Sequence, residues 1–77
     1  MDVGIRFDGY VKVLLNGRGE YVFPDTSLAQ LLRSHKYNLE WLVVEHNNRI
    51  VRPEHRDALE LRDGDRIEVL TFSGEGI

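Results

Sequence analysis

The pair Asn16-Gly17, set between two short runs of alternating side chains, restricts this chain more than any other feature. Before it, Val11, Val13 and Leu15 alternate with Lys12 and Leu14; after it comes Tyr21-Val22-Phe23. Period-two alternation marks a half-buried strand. Asn-Gly readily takes the two positive φ angles that a tight turn between antiparallel strands requires. Pro24 lacks the N–H that a strand ladder needs, so the second strand stops there. Ser27 with Gln30 three residues later forms a capping box and opens a helix. Leu28, Leu31, Leu32 and His35 recur at helical spacing, with an apolar stripe from Leu28 to Leu32 and an end near Lys36. A helix of about two or three turns cannot bury such a stripe alone and must lie across the sheet.

Trp41-Leu42-Val43-Val44-Glu45 reads as a third strand, and His46 to Arg49 as a turn into a short strand at Ile50-Val51. Pro53 closes that strand, Glu54 to Ala58 make one helical turn, and Leu59 and Leu61 anchor it. Asp63-Gly64-Asp65 is a tight turn, with Gly64 at positive φ and the two aspartates shaping it. Arg66 to Phe72 is the last strand, which pairs most economically beside the first, in the middle of the sheet. The expected fold is α+β: a β-grasp, ubiquitin-like mixed sheet of four to five strands with one main helix packed across it. Residues 1–9 are expected to be a leader or an extra edge strand, 10–72 the domain, and 73–77 a flexible C-terminal tail.

The chain has 77 residues and no cysteine, so its stability must come from packing and not from disulfides or thiolate metal sites. Ten Lys and Arg interspersed with thirteen Asp and Glu leave a charge of −3, without the basic stripe of a nucleic-acid binder. No apolar run is long enough to span a bilayer, and Met1-Asp2-Val3-Gly4 lacks the basic and apolar regions of a signal peptide. The expectation is a cytoplasmic domain with no nucleic-acid or membrane partner. His35, His46 and His55 match no zinc spacing, and no metal site is expected; all three read as solvated surface residues. Ser27 is a cap and not a nucleophile, because no Gly-x-Ser-x-Gly elbow surrounds it. Gly74-Glu75-Gly76 is followed by no helix and so is not a phosphate fingerprint. Trp41 and Tyr37 are expected to close one end of the core, a stacking platform for bases being the weaker reading.

In the last strand, Ile67 and Val69 share one phase, while Leu70 and Phe72 fall on the other. With Ile67 and Val69 facing the helix, Leu70 and Phe72 form an outer apolar patch beside the tail, which Leu14 extends one strand over. That patch suits docking of a partner; the alternative is a bent strand whose Leu70 and Phe72 cover the edge of the core. The tail Gly74-Glu75-Gly76 carries glycines that leave it conformationally free to enter a narrow channel.

Several runs resemble ThiS-type sulfur carriers: Val13-Leu14-Leu15-Asn16-Gly17, Thr26-Ser27-Leu28-Ala29-Gln30-Leu31-Leu32, Val43-Val44-Glu45-His46-Asn47, Ile50-Val51-Arg52, and Leu61-Arg62-Asp63-Gly64-Asp65-Arg66-Ile67-Glu68-Val69-Leu70. The resemblance extends from Tyr10 to Gly76. The related small subunit of molybdopterin synthase usually has a proline-rich approach to its tail, absent here. The resemblance implies a protein co-substrate and not an enzyme. A ThiF/MoeB-like adenylating enzyme uses ATP to activate the terminal glycine carboxylate. A persulfide then displaces AMP, and the thiocarboxylate passes sulfur to thiazole synthase or another acceptor enzyme. The carrier itself binds no cofactor. Family tails end in Gly-Gly, whereas this one reads Gly74-Glu75-Gly76-Ile77. The resemblance therefore places the thiocarboxylate on Gly76, after a peptidase removes Ile77, and puts Glu75 near the ATP phosphates, where like charges repel. The alternatives are a non-covalent β-grasp adaptor that has lost this chemistry, or a carrier for molybdopterin or another sulfur acceptor.

Overall fold

The computed structural model describes residues 9–71. Most of the leader expected at 1–9, along with Phe72 and the tail at 73–77, lies outside the described residues. The elements are β1 (Val11–Leu15), β2 (Arg18–Val22), α1 (Leu28–Ser34), β3 (Leu42–His46), β4 (Arg49–Val51) and β5 (Arg66–Thr71). Short 3-10 turns occupy Leu39–Trp41 and Pro53–His55. The five-stranded sheet runs β2-β1-β5-β3-β4, so β5 lies in the middle as expected, parallel to β1 and antiparallel to β3.

The register explains the core. Val13 and Leu15 on β1, Leu42 and Val44 on β3, and Ile67 and Val69 on β5 all point to one face and are buried. Against that face α1 presents Leu28, Ala29, Leu31 and Leu32, each at most 2 % exposed. Fully burying one such leucine contributes about 2 kcal/mol, so this stripe is what holds a helix of only two turns in place. Both halves of the capping box form: Ser27 Oγ accepts from the Gln30 amide at 3.1 Å, and Gln30 Oε1 accepts from the Ser27 amide at 2.8 Å. The amides of Leu28 and Ala29, which have no partner inside the helix, donate to the carbonyls of Leu59 and Arg56 in the connection between β4 and β5. That connection is thereby fastened beneath the helix, and Leu61 is buried there. At the other end Lys36 takes a left-handed φ of 64°, and the chain leaves α1 close to the expected point.

Two sequence expectations fail here. Trp41 was expected to open the third strand and close the core with Tyr37. It instead sits in the 3-10 turn before β3 and is 54 % exposed, whereas Tyr37 does pack against the core. Asn38 accounts for the difference: its side chain accepts from the Glu40 amide and turns the chain before the strand begins. The histidines are also more engaged than expected. His35 meets Glu20 at 2.7 Å, and His46, inside β3, meets Asp65 at 2.9 Å.

Candidate functional site

The candidate site is the end of β5, where the chain runs towards its glycine-bearing segment. Thr71 pairs with Leu42 and Leu70 with Val43. Because Val69 and Ile67 face the core, Leu70 must face outward, and it is 58 % exposed, as the phase of the strand implied. Leu14, half-buried, shares the outer face but registers with Arg66, two same-face positions before Leu70. The structure therefore does not bring Leu14 and Leu70 together. Trp41, immediately before the residue that pairs with Thr71, adds a large exposed ring to this end of the sheet. Of the residues singled out in the sequence, Phe72, Gly74, Glu75 and Gly76 lie outside the described residues.

What positions β5 is a pair of asparagines in the two hairpin turns. Each hairpin has a two-residue loop whose central residues take positive φ: Asn16 at 51° with Gly17 at 84°, and Asn47 at 51° with Asn48 at 72°. These match the twisted turn that suits antiparallel strands. The side chain of Asn16 reaches across to accept from the Val69 amide at 2.8 Å, while its own amide donates to the Ile67 carbonyl. On the opposite flank Asn47 Oδ1 accepts from the Arg66 amide at 2.9 Å, and its amide donates to the Arg66 carbonyl. Sequence reasoning read both as turn formers. The reach of their side chains depends on which strand lies alongside, information that no local pattern contains.

Asp65 completes the second clamp and is only 7 % exposed. Its carboxylate accepts from the Arg62 amide at 2.8 Å, from Asn47 Nδ2 at 3.0 Å, and from His46 Nε2 at 2.9 Å. Burial alone would raise the carboxyl's pKa, but the Arg62 amide, the His46 and Asn47 hydrogen bonds and the His46 charge together hold it below the usual carboxylate value. Asp63 serves the same turn by accepting from the Lys12 amide at 2.9 Å. Arg56, 4 % exposed, donates to the Leu39 and Leu42 carbonyls and fixes the start of β3. Removal from water, with no counter-ion among the described residues, lowers its pKa. Nothing in the sequence around Arg56 signalled burial, since it sits in a run of charged residues. No group of three His, Asp or Glu side chains among the described residues is placed to hold a metal. No described helix is long and apolar enough to cross a membrane. The arrangement is one of presentation: a strand end that carries exposed apolar side chains, Leu70 and the neighbouring Trp41.

Residues 10–74 match the model of the ThiS family. The chain is 31% identical over 62 residues to the uncharacterized protein ycf40 of Trieres chinensis, covering 80% of this chain and 85% of that protein. It superposes on the crystal structure of the thiamine biosynthesis protein ThiS from Geobacter metallireducens with a TM-score of 0.72, at 30% identity, over 83% of this chain and 97% of that one. An NMR solution structure of a thiamine biosynthesis protein from the same organism gives 0.67, at the same identity, over 83% and 86%.

Proposed function

This chain belongs to the ThiS family, whose members are sulfur carriers and not enzymes, and from that premise we propose that it carries sulfur as a thiocarboxylate on Gly76 for thiamine thiazole formation. The observation that carries the reading is the family match through residue 74, which includes the central strand β5 and the start of the glycine-bearing segment behind it. Five residues run from Phe72 to Gly76 in the sequence, and an extended chain of that length spans about 17 Å. That is long enough to carry a carboxylate into a partner's active site while the domain stays outside it.

The chemistry needs help from a partner because a carboxylate is a poor electrophile. Cleavage of the Gly76–Ile77 bond by a peptidase frees the Gly76 carboxylate. A ThiF/MoeB-like adenylating enzyme joins that carboxylate to AMP, with pyrophosphate leaving from ATP. The terminal sulfur of a donor persulfide then attacks the acyl carbon and AMP departs, leaving an acyl disulfide. A second thiol of the partner attacks the donor's sulfur, forming a disulfide and releasing the Gly76 thiocarboxylate. Gly74 supplies conformational freedom, and Leu70 with Phe72 and Leu14 contacts the enzyme. Glu75 brings a carboxylate towards the ATP phosphates, so the enzyme's channel needs a cation opposite it.

The test is the intact mass of the protein isolated from its own cells, with the Gly76→Ala variant beside it. The expected result is loss of Ile77 and exchange of one oxygen for sulfur in the native chain, and neither thiocarboxylate nor sulfur transfer in G76A, which still folds. A chain that keeps Ile77 under thiamine-limited growth, or a G76A variant that supports thiazole formation normally, would sink the proposal.

A further inference from the structure

Arg56 is a cation held out of water with no opposite charge beside it among the described residues. Nη1 donates to the Leu39 carbonyl and Nη2 to the Leu42 carbonyl, but the buried Nε–H has no acceptor among the described residues. The carboxylates close by in the sequence do not serve it. Asp57 pairs with Arg33 at 3.0 Å and Glu54 with Arg52, and no described ion pair includes Arg56. Carbonyl dipoles offset a full charge only in part, and a buried donor without an acceptor is destabilising.

The same residue lines a hollow of about 400 Å³ between α1, the 3-10 turn at Leu39–Trp41, the start of β3 and the 3-10 turn at Pro53–His55. That volume is typical of small-molecule sites. Ala29, Leu39, Leu42 and Pro53 give it apolar walls, and Ala29 is the one short side chain in the buried stripe of α1. Arg33 and Asp57, also at the hollow, neutralise each other. The charges left to act on an occupant are therefore Arg56 within and the exposed Glu40 at the rim. Water screens the exposed charge far more than the buried one, so the cation prevails.

We propose that this hollow binds a small molecule with a single carboxylate and an apolar body. The carboxylate pairs with the Arg56 guanidinium, and the body lies against Ala29, Leu39, Leu42 and Pro53. A turn of the guanidinium about its side-chain torsions brings the covered Nε–H to the ligand. One unmatched charge calls for one carboxylate, since a phosphate carries further oxygens that apolar walls cannot satisfy. The inference does not depend on the carrier reading, because it uses no residue of the glycine-bearing segment.

The experiment is an NMR titration of the isotope-labelled full chain with benzoate, benzyl alcohol and inorganic phosphate. It is read at the Arg56 Nε–H signal and at the backbone amides of Ala29, Leu39 and Leu42. Benzoate should move these signals together and saturably, about tenfold more tightly than benzyl alcohol, which lacks the charge, or phosphate, which lacks the apolar body. Arg56→Gln should abolish the preference for benzoate over benzyl alcohol. Because a variant at a buried site can also lose the fold, Arg33→Glu at an exposed position gives a second reading. It should weaken benzoate about threefold relative to benzyl alcohol. Benzoate that leaves the Arg56 signal in place, or binds no more tightly than benzyl alcohol or phosphate, overturns the inference. So does tighter benzoate binding by E75Q than by the wild type, since the carboxylate opposite Arg56 would then belong to the chain itself.

Discussion

The two hairpin turns of this protein look alike and grip the same strand, yet they are built from different physics. Both use an asparagine at φ 51° in a two-residue loop, and both asparagines accept from an amide of β5. The first clamp, at Val69, is made of uncharged amide contacts, with Asn16 Nδ2 donating to the hydroxyl of the half-buried Tyr37 at 3.4 Å. The second, at Arg66, leans on a buried carboxylate that Asn47, His46 and the Arg62 amide share. One end of β5 is thus held by contacts indifferent to pH and the other by contacts that depend on a charge.

Asn47→Ala should produce the largest effect, about 3 kcal/mol lost in urea denaturation. It removes the acceptor for the Arg66 amide and a donor to a buried carboxylate, and leaves alanine in a left-handed conformation. Asn16→Ala should cost about 2 kcal/mol, since it orphans a single amide and meets the same backbone penalty. Equal losses, or the reverse order, would break the contrast between the clamps.

Acid should separate them next. The folded pKa of Asp65 is depressed, so its contribution is complete above the unfolded value of about 3.9. It is lost as pH falls through the still lower folded value. The stability gap between wild type and Asp65→Asn should therefore narrow below about pH 4, whereas the gap between wild type and Asn16→Ala should hold steady in the same urea series. The smallest changes lie in the neighbouring turn residues. Gly17→Ala should cost about 1 kcal/mol, because φ 84° strains any side chain even where space is open. Asn48→Gly, at φ 72°, should gain a few tenths, roughly, by thermal melt.

What could be read from the sequence follows the same division. Asn-Gly, the capping box, the leucine stripe and the alternation in β5 are local, repeated signals, and they led to the place of the last strand beside the first in the middle of the sheet and to the outward placement of Leu70. Trp41 was misplaced because apolar character says nothing about the Asn38 cap that turns the chain just ahead of it. Arg56 and Asp65 were missed as buried residues because their partners come from segments far along the chain, Leu39, Leu42 and His46 among them. His46 was taken for a turn residue on the surface. Its role becomes visible only when β3 is laid against β5 and Asp65 arrives beside it.

The position of β5 bears on how the protein is made. The middle strand of the sheet is the last of the described elements to leave the ribosome, and without it β1 and β3 have nothing between them. The first hairpin and the helix can form early from local contacts, but closing the sheet waits for a segment more than fifty positions downstream, as the Asn16–Val69 bond records. A chain cut short during translation before that segment would lack both the glycine-bearing residues and the strand that joins the two halves of the sheet. Incomplete products would then fail to close the sheet, so release of the last strand is the step that commits the chain to its fold.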